Sequence, residues 1–230
     1  MHKYIRFPGQ YCYIDESGKV VIPGTFVFTE GLAAVLDKNN DKWGFIDETS
    51  KVVIPCQREF VGYFTEGLAA VKDEHDKFGF IDKTGKVVIP CQWRWTLWFV
   101  NGWAFVKNEQ DKFGFIDKTG KVVIPCQWKW VDSFCEGLAP VQNEQNKYGF
   151  INKKGELVIP CQWKVTHNSF SEGLVGVKDE HNKWGYIDST GKLVIPCQWE
   201  DAGDFRNGIA SVWKRGKCFH IDKTGKIVSM

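Results

Sequence analysis

Four sets of residues in this chain have types and spacings that could do chemistry: eight cysteines, acid–imidazole loops, a repeated glutamate and eleven tryptophans. Cys56, Cys91, Cys126, Cys161 and Cys197 recur in Pro-Cys-Gln, which would suit metal ligation or disulfides. No Cys-x-x-Cys occurs, and equivalent points on face-stacked sheets lie about 10 Å apart, beyond the ~7 Å reach of a disulfide. We expect buried free thiols and no metal, with cysteine acting as a small hydrophobe. Cys12, Cys135 and Cys218 stand outside this phase and have no assigned role. The loops Asp73-Glu74-His75-Asp76 and Asp179-Glu180-His181-Asn182 gather oxygen and imidazole ligands. Their siblings Asn108-Glu109-Gln110-Asp111 and Asn143-Glu144-Gln145-Asn146 hold the same phase with fewer ligands, and none has the spaced carboxylates of a calcium loop. All four read as solvated turns.

Glu30, Glu66, Glu136 and Glu172 could form the paired acids of a glycosidase, but such a pair needs two unlike environments and these four repeat one. They are expected in the turn before a strand. Neither Gly-x-Ser-x-Gly nor a glycine-rich phosphate loop occurs, so no catalytic residue and no cofactor is assigned. The tryptophans divide into two groups. Trp93, Trp128, Trp163 and Trp199 recur in Cys-Gln-Trp and read first as packing. Trp95 and Trp130 repeat only once, alternating with Arg94 and Lys129. Trp98 stands where other copies have Val27, Tyr63, Ser133, Ser169 or Asp204, and Trp103 where they have leucine or isoleucine. Trp93, Trp95, Trp98, Trp103 and Phe105, with Trp128 and Trp130, are therefore the candidate binding residues. Rigid rings beside cations give contact area at low entropic cost, which fits a protein anchor or a sugar face. A repacked core is the bland alternative.

The elements that must position these residues are copies of one unit. The prolines ending Val-Ile-Pro fall at Pro23, Pro55, Pro90, Pro125, Pro160 and Pro196, spaced by 32, 35, 35, 35 and 36 residues. A degenerate copy closes the chain at Gly225-Lys226-Ile227-Val228-Ser229-Met230, giving seven hairpin cores like Phe78-Gly79-Phe80-Ile81-Asp82-Lys83-Thr84-Gly85-Lys86-Val87-Val88-Ile89-Pro90. Between them lies a second element, as in Phe64-Thr65-Glu66-Gly67-Leu68-Ala69-Ala70-Val71. Asp41-Lys42-Trp43-Gly44-Phe45-Ile46-Asp47 and Asn182-Lys183-Trp184-Gly185-Tyr186-Ile187-Asp188 resemble the signature of bacterial WG (KWG) repeats. The resemblance covers nearly the whole chain and implies an all-β repeat protein with no shared enzymatic activity. Tyr11-Cys12-Tyr13 and Cys218-Phe219-His220 depart from it by lacking the glycine.

Each unit reads as three short strands, because its apolar runs are rich in Val, Ile and aromatics and end at Gly, Asp or Pro too soon for a helix. Asp-Lys-Thr-Gly suits a type I turn followed by glycine at positive φ, with the Asp side chain bonding the turn. Ser50 replaces that glycine once, at an expected strain of roughly 1 kcal/mol. Val-Val-Ile does not alternate, so both of its faces should be covered. Sheets stacked this way form either a ring or a linear hairpin solenoid, and apolar terminal copies favour the ring. The expectation is one WG-repeat domain over residues 1–230, a closed seven-bladed β-propeller of small three-stranded blades, with Lys3 to Phe7 joining the ends.

Composition narrows the function. Thirty Lys+Arg against 28 Asp+Glu leave a net charge of +2, too little for a dedicated nucleic-acid binder. No apolar run approaches the ~20 residues of a membrane span, so no insertion is expected. Met1 to Phe7 lacks the apolar stretch of a signal peptide, which reads as cytoplasmic; an exported protein whose signal has been removed is the alternative. The expected role is a non-enzymatic scaffold that binds a protein. A glycan-binding adhesin or lectin comes second, and a propeller glycosidase or lyase third.

Overall fold

The computed structural model describes residues 12–21, 28–167 and 169–228. The expected joining strand at Lys3 to Phe7 lies outside them. The described strands form six small sheets, with no helix among the described residues. Two compact units divide the chain, residues 1–110 with 116–121 and residues 111–115 with 122–230.

In the first unit, the second sheet shows the plan. Phe60–Thr65, Leu68–Lys72, Phe78–Asp82 and Val87–Trp93 pair in that order as an antiparallel meander. The sheet has four strands, one more than the three-stranded blade expected. The extra strand begins just past the Cys-Gln-Trp phase, and in other repeats it is only two residues long, too short to show as a periodic run. The first sheet has five strands. Cys12–Ile14 lies parallel to Leu32–Asp37, with Tyr13 opposite Leu36, and Val20–Val21 completes its hairpin. The first hairpin thus joins the next repeat's sheet and makes none of its own.

The second unit repeats the plan. Its sheets of four strands are Trp130–Val131, Leu138–Gln142, Tyr148–Asn152, Leu157–Trp163, and Val165–Thr166, Leu174–Lys178, Trp184–Asp188, Leu193–Trp199. The last sheet has three, Asp201–Ala202, Ile209–Lys214 and Lys217–Asp222, plus a bridge from Ile221 to Ile227.

The signature glycine has a steric cause. Phe78 pairs with Trp93 and Phe80 with Ile89, so the outer strand bulges over the intervening Gly79. A Cβ there would lie 2.4 Å from the Ile89 carbonyl oxygen and 2.8 Å from the Cys91 nitrogen, and backbone cannot yield as a side chain can. Gly44, Gly114, Gly149 and Gly185 meet the same obstruction at 2.4–2.5 Å. At Phe219, which takes the glycine's phase in the last sheet, only the bridge from Ile221 to Ile227 follows among the described residues, and no such bulge is seen there.

The hairpin turn matches expectation. Asp82 Oδ1 accepts from the Thr84 and Lys86 amides at 2.9 and 3.1 Å and from the Thr84 hydroxyl at 2.6 Å. Gly85 has φ 85°, and Ser50 is held at φ 66° in the same place. The turn also rests on the preceding repeat, since a Cβ on Gly85 would sit 3.1 Å from Ile54 Cγ2. Aromatic pairs join consecutive repeats: Phe45 with Phe64 at 4.8 Å and Phe80 with Phe99 at 4.7 Å in the first unit, Phe150 with Phe170 at 5.1 Å in the second. The outer strand corrects one expectation. Ile54, Ile89, Ile124, Ile159 and Ile195 are buried, but Val52, Val53, Val87, Val88, Leu157 and Val158 are exposed, because no further strand or layer covers this edge within each sheet. The proline that follows each isoleucine removes a donor from that edge and the neighbouring lysines charge it, which discourages pairing with another chain.

Candidate binding surface

The inner strand of each sheet and the loop after it place the aromatic residues. In the first unit, Tyr63 and Trp98 hold one phase of adjacent repeats, each just before the phenylalanine that packs inward. The backbones beside them touch: a Cβ on Gly62, in the strand Phe60–Thr65, would lie 3.6 Å from the Leu97 carbonyl oxygen. The Phe99 amide donates to Thr65 Oγ1 at 3.1 Å, which pins the register. Both rings stay outward, Tyr63 at 48% exposure and Trp98 at 41%. Trp95 is half-buried and stacks on Phe105 at 5.5 Å and 30°. Trp103 is half-buried just after the two-residue turn that Val100 opens. Trp93 is only 9% exposed and belongs to the core.

In the second unit, Trp128 and Trp130 are both half-buried, Trp130 edge-on to Tyr148 at 5.7 Å. The indole nitrogens of Trp93, Trp128, Trp163 and Trp199 are buried with no hydrogen-bond partner among the described residues, so this phase is turned into packing and presents no donor to a ligand. Of the seven candidates, Trp98 alone is an exposed ring. Its companion Tyr63 was legible only as the residue at the same phase of the repeat before.

The repeated glutamates have a structural post. Glu30 and Gly31 have φ 52° and 84°, and Thr29 and Leu32 exchange both backbone hydrogen bonds around them, a type I′ hairpin. Glutamate is uncomfortable there, and its side chain supplies a compensation. The Gly67 amide donates to the Glu30 carboxylate at 3.2 Å, and Lys83 Nζ lies 3.0 Å from both its side-chain and its backbone oxygen. Glu66 binds the Gly102 amide and Lys118 likewise, as Glu172 binds Gly208 and Lys223. Partial burial pushes the Glu30 and Glu66 carboxyls up, yet the lysine and amide donors together outweigh it and hold both below the usual range. These acids are ionised clamps between repeats, matching the turn position expected of them.

Asp73, in the first acid–imidazole loop, spends its Oδ1 on the amides of His75 and Lys77, both at 2.9 Å. The loop lysines and glutamates pair along the repeats, as Lys77 with Glu109 and Lys147 with Glu180. All eight cysteines are free thiols. Those of the Pro-Cys-Gln phase are half-buried, and burial pushes their thiols up, Cys197 to about 11, which keeps them protonated and unreactive. Cys135, unassigned from sequence, takes the phase of Thr65 and Ser171 and donates to the Phe170 carbonyl at 3.4 Å, where Ser171 donates to that of Phe205 at 2.7 Å.

The family model described as WG containing repeat matches residues 11–42, 43–77, 78–110, 113–147, 148–184 and 184–218. The chain belongs to the WG-repeat family. No curated protein matches the sequence of this WG-repeat chain. The crystal structure of the computationally designed Ika8 protein is similar in fold, with a TM-score of 0.51 and 9% identity over 92% of this chain and 77% of that one. BamB from Moraxella catarrhalis is similar at a TM-score of 0.45 and 10% identity, over 94% of this chain and 80% of that one. The WG glycines and the Glu–Gly–Lys clamps are structural parts of the repeat. Trp98 and Tyr63, among the few exposed large rings, are not needed by either.

Proposed function

We propose that this WG-repeat protein is a non-enzymatic scaffold that binds another protein through its loops and exposed aromatic rings. The pair Trp98 and Tyr63 carries the reading: two amphipathic rings stand exposed on adjacent repeats of the first unit, on a framework fixed by clamps and bulges. Exposed aromatics on rigid backbone lose little entropy on binding and dominate interface energetics. The absence of a catalytic role is supported by the glutamates, whose lone pairs are committed to Gly amides and lysines. Eight free thiols support residence in a reducing compartment. For the finer architecture we propose the closed ring of blades over a linear solenoid, with seven hairpin cores in the sequence.

The test is a partner identified by crosslinking and then reconstituted from purified components. Trp98→Ala and Tyr63→Ala should each weaken it at least tenfold with thermal stability unchanged, the scale of an interface anchor. Undiminished binding by both would remove these rings from the interface. A glycan is the second reading, because an exposed indole also suits a sugar face. Saturable quenching of tryptophan fluorescence by one member of a glycan panel, lost in Trp98→Ala, would decide for it.

A further inference from the structure

One place in the second unit departs from the repeat in four ways at once. The interval from Pro160 to Pro196 is 36 residues where its three predecessors are 35, and aligning the neighbouring phenylalanines puts the extra residue in the loop after Thr166. That loop carries His167, whose amide donates to the Gly176 carbonyl at 2.9 Å. Gly176 replaces the Ala34, Ala70, Phe105, Pro140 or Ser211 of other repeats, and a Cβ there would stand 2.6 Å from His167 Cε1 and 2.7 Å from Nδ1. The missing side chain is what makes room for the imidazole. On its other side the ring packs against Trp184, centroids 4.6 Å apart.

The next repeat supplies an acid. Asp204 takes the phase of Tyr63 and Trp98, and its Oδ1 lies 2.8 Å from His167 Nδ1. The contact is close but oblique, short of a well-directed hydrogen bond. A ring nitrogen and a carboxylate oxygen this close share a proton, since two lone pairs would otherwise face each other. Tyr186, where Phe45, Phe80, Phe115 and Phe150 stand elsewhere, donates its hydroxyl to the Gly203 carbonyl at 2.6 Å and holds the backbone that presents Asp204. Burial, then Asp204 and Asp201, pushes the Tyr186 phenol up and keeps it a donor. Beside His167 and Asp204 lies a shallow, open cleft of about 410 Å³, lined by Thr166, His167, Ser169, Ala202, Gly203 and Asp204.

The lining is rich in acceptors. Asp204 is 41% exposed and no lysine or arginine lines the cleft. We propose that this cleft binds the guanidinium or ammonium group of a basic side chain on a protein partner, through the exposed carboxylate of Asp204 that His167 holds in place. The inference deepens the scaffold reading but uses a different unit from Trp98, so either can fail alone.

The probe is ethylguanidinium, followed by NMR of the His167 imidazole and Trp184 indole signals in the full chain. A fragment of this size should bind on the order of mM. The expected result is saturable shifts that disappear in Asp204→Asn and weaken at least tenfold in Gly176→Ala, whose methyl expels the imidazole; neutral ethylurea should give none. Thermal melts check the fold, and should Gly176→Ala fail to fold, the exposed Asp204→Asn decides alone. Shifts that do not saturate, that survive in Asp204→Asn, or that ethylurea reproduces would overturn the proposal and leave His167–Asp204 a clasp between repeats.

Discussion

Gly79 shows how much one hydrogen atom in place of a methyl can decide. The bulged outer strand passes so near its Cα that Gly79→Ala must push backbone aside, and the expected loss is about 1–3 kcal/mol by urea denaturation. Gly62 is the control. Its hypothetical Cβ has only ordinary contacts, the nearest at 3.5 Å, so Gly62→Ala should change stability by less than about 0.5 kcal/mol. The sequence marked both as glycines, but only one carries the family signature, and the reason lies in the neighbouring strand. The cysteines make a parallel case. Cys218 is exposed, whereas the Pro-Cys-Gln thiols are half-buried and raised. Ellman's reagent should therefore titrate Cys218 first in the native protein, the phased thiols slowly, and all eight in denaturant. Fewer than eight in denaturant would mean that some are paired.

The hairpin and the I′ turn hold the repeats together in different ways. In the Asp-x-Thr-Gly turns of Asp82, Asp117, Asp188 and Asp222, and in the Asp47 turn that ends in Ser50, the hydroxyl and amides hold the aspartate below its usual range, the threonine hydroxyl foremost. A depressed folded-state value means stability that is complete above the unfolded value and is lost as pH falls through the folded one. Acid should therefore destabilise the protein from about pH 4 downward, near the ordinary aspartate value. A denaturant midpoint flat between pH 5 and pH 3 would contradict this. The Glu–Gly–Lys clamp acts between repeats. Glu66→Ala should cost about 1 kcal/mol, because a charge-assisted bond to Gly102 and a pair to Lys118 go together, while Glu66→Gly should cost less by relieving the φ of 53°. A double-mutant cycle with Lys118→Ala separates the two contributions. Sequence reasoning located these glutamates in turns, but it could not see their reach of 36 or 37 residues to the next glycine.

For the molecule as a whole, stability should be shared among repeats and their interfaces, since the phenylalanine pairs and glutamate clamps join one repeat to the next within each unit. The proposed closed ring predicts a radius of gyration of about 17 Å by small-angle scattering, the value for a compact chain of this length, with no rod-like cross-section regime. A clearly larger value would favour the linear stack. Periodicity alone determined the all-β class, the turn chemistry and the unit length of about 35 residues, because hairpins are local structures whose signals lie within a dozen residues. It did not reveal the fourth strand, the exposed valines or the merging of the first hairpin into its neighbour's sheet, each of which depends on what lies alongside an edge. The sites divide the same way. Trp98 was visible as a departure from the repeat, whereas His167, Gly176 and Asp204 lie in different strands and loops of two repeats. Only tertiary structure could show that a missing methyl in one leaves room for an imidazole beside the acid of the other, because that juxtaposition is a distance in space with no counterpart in spacing along the chain.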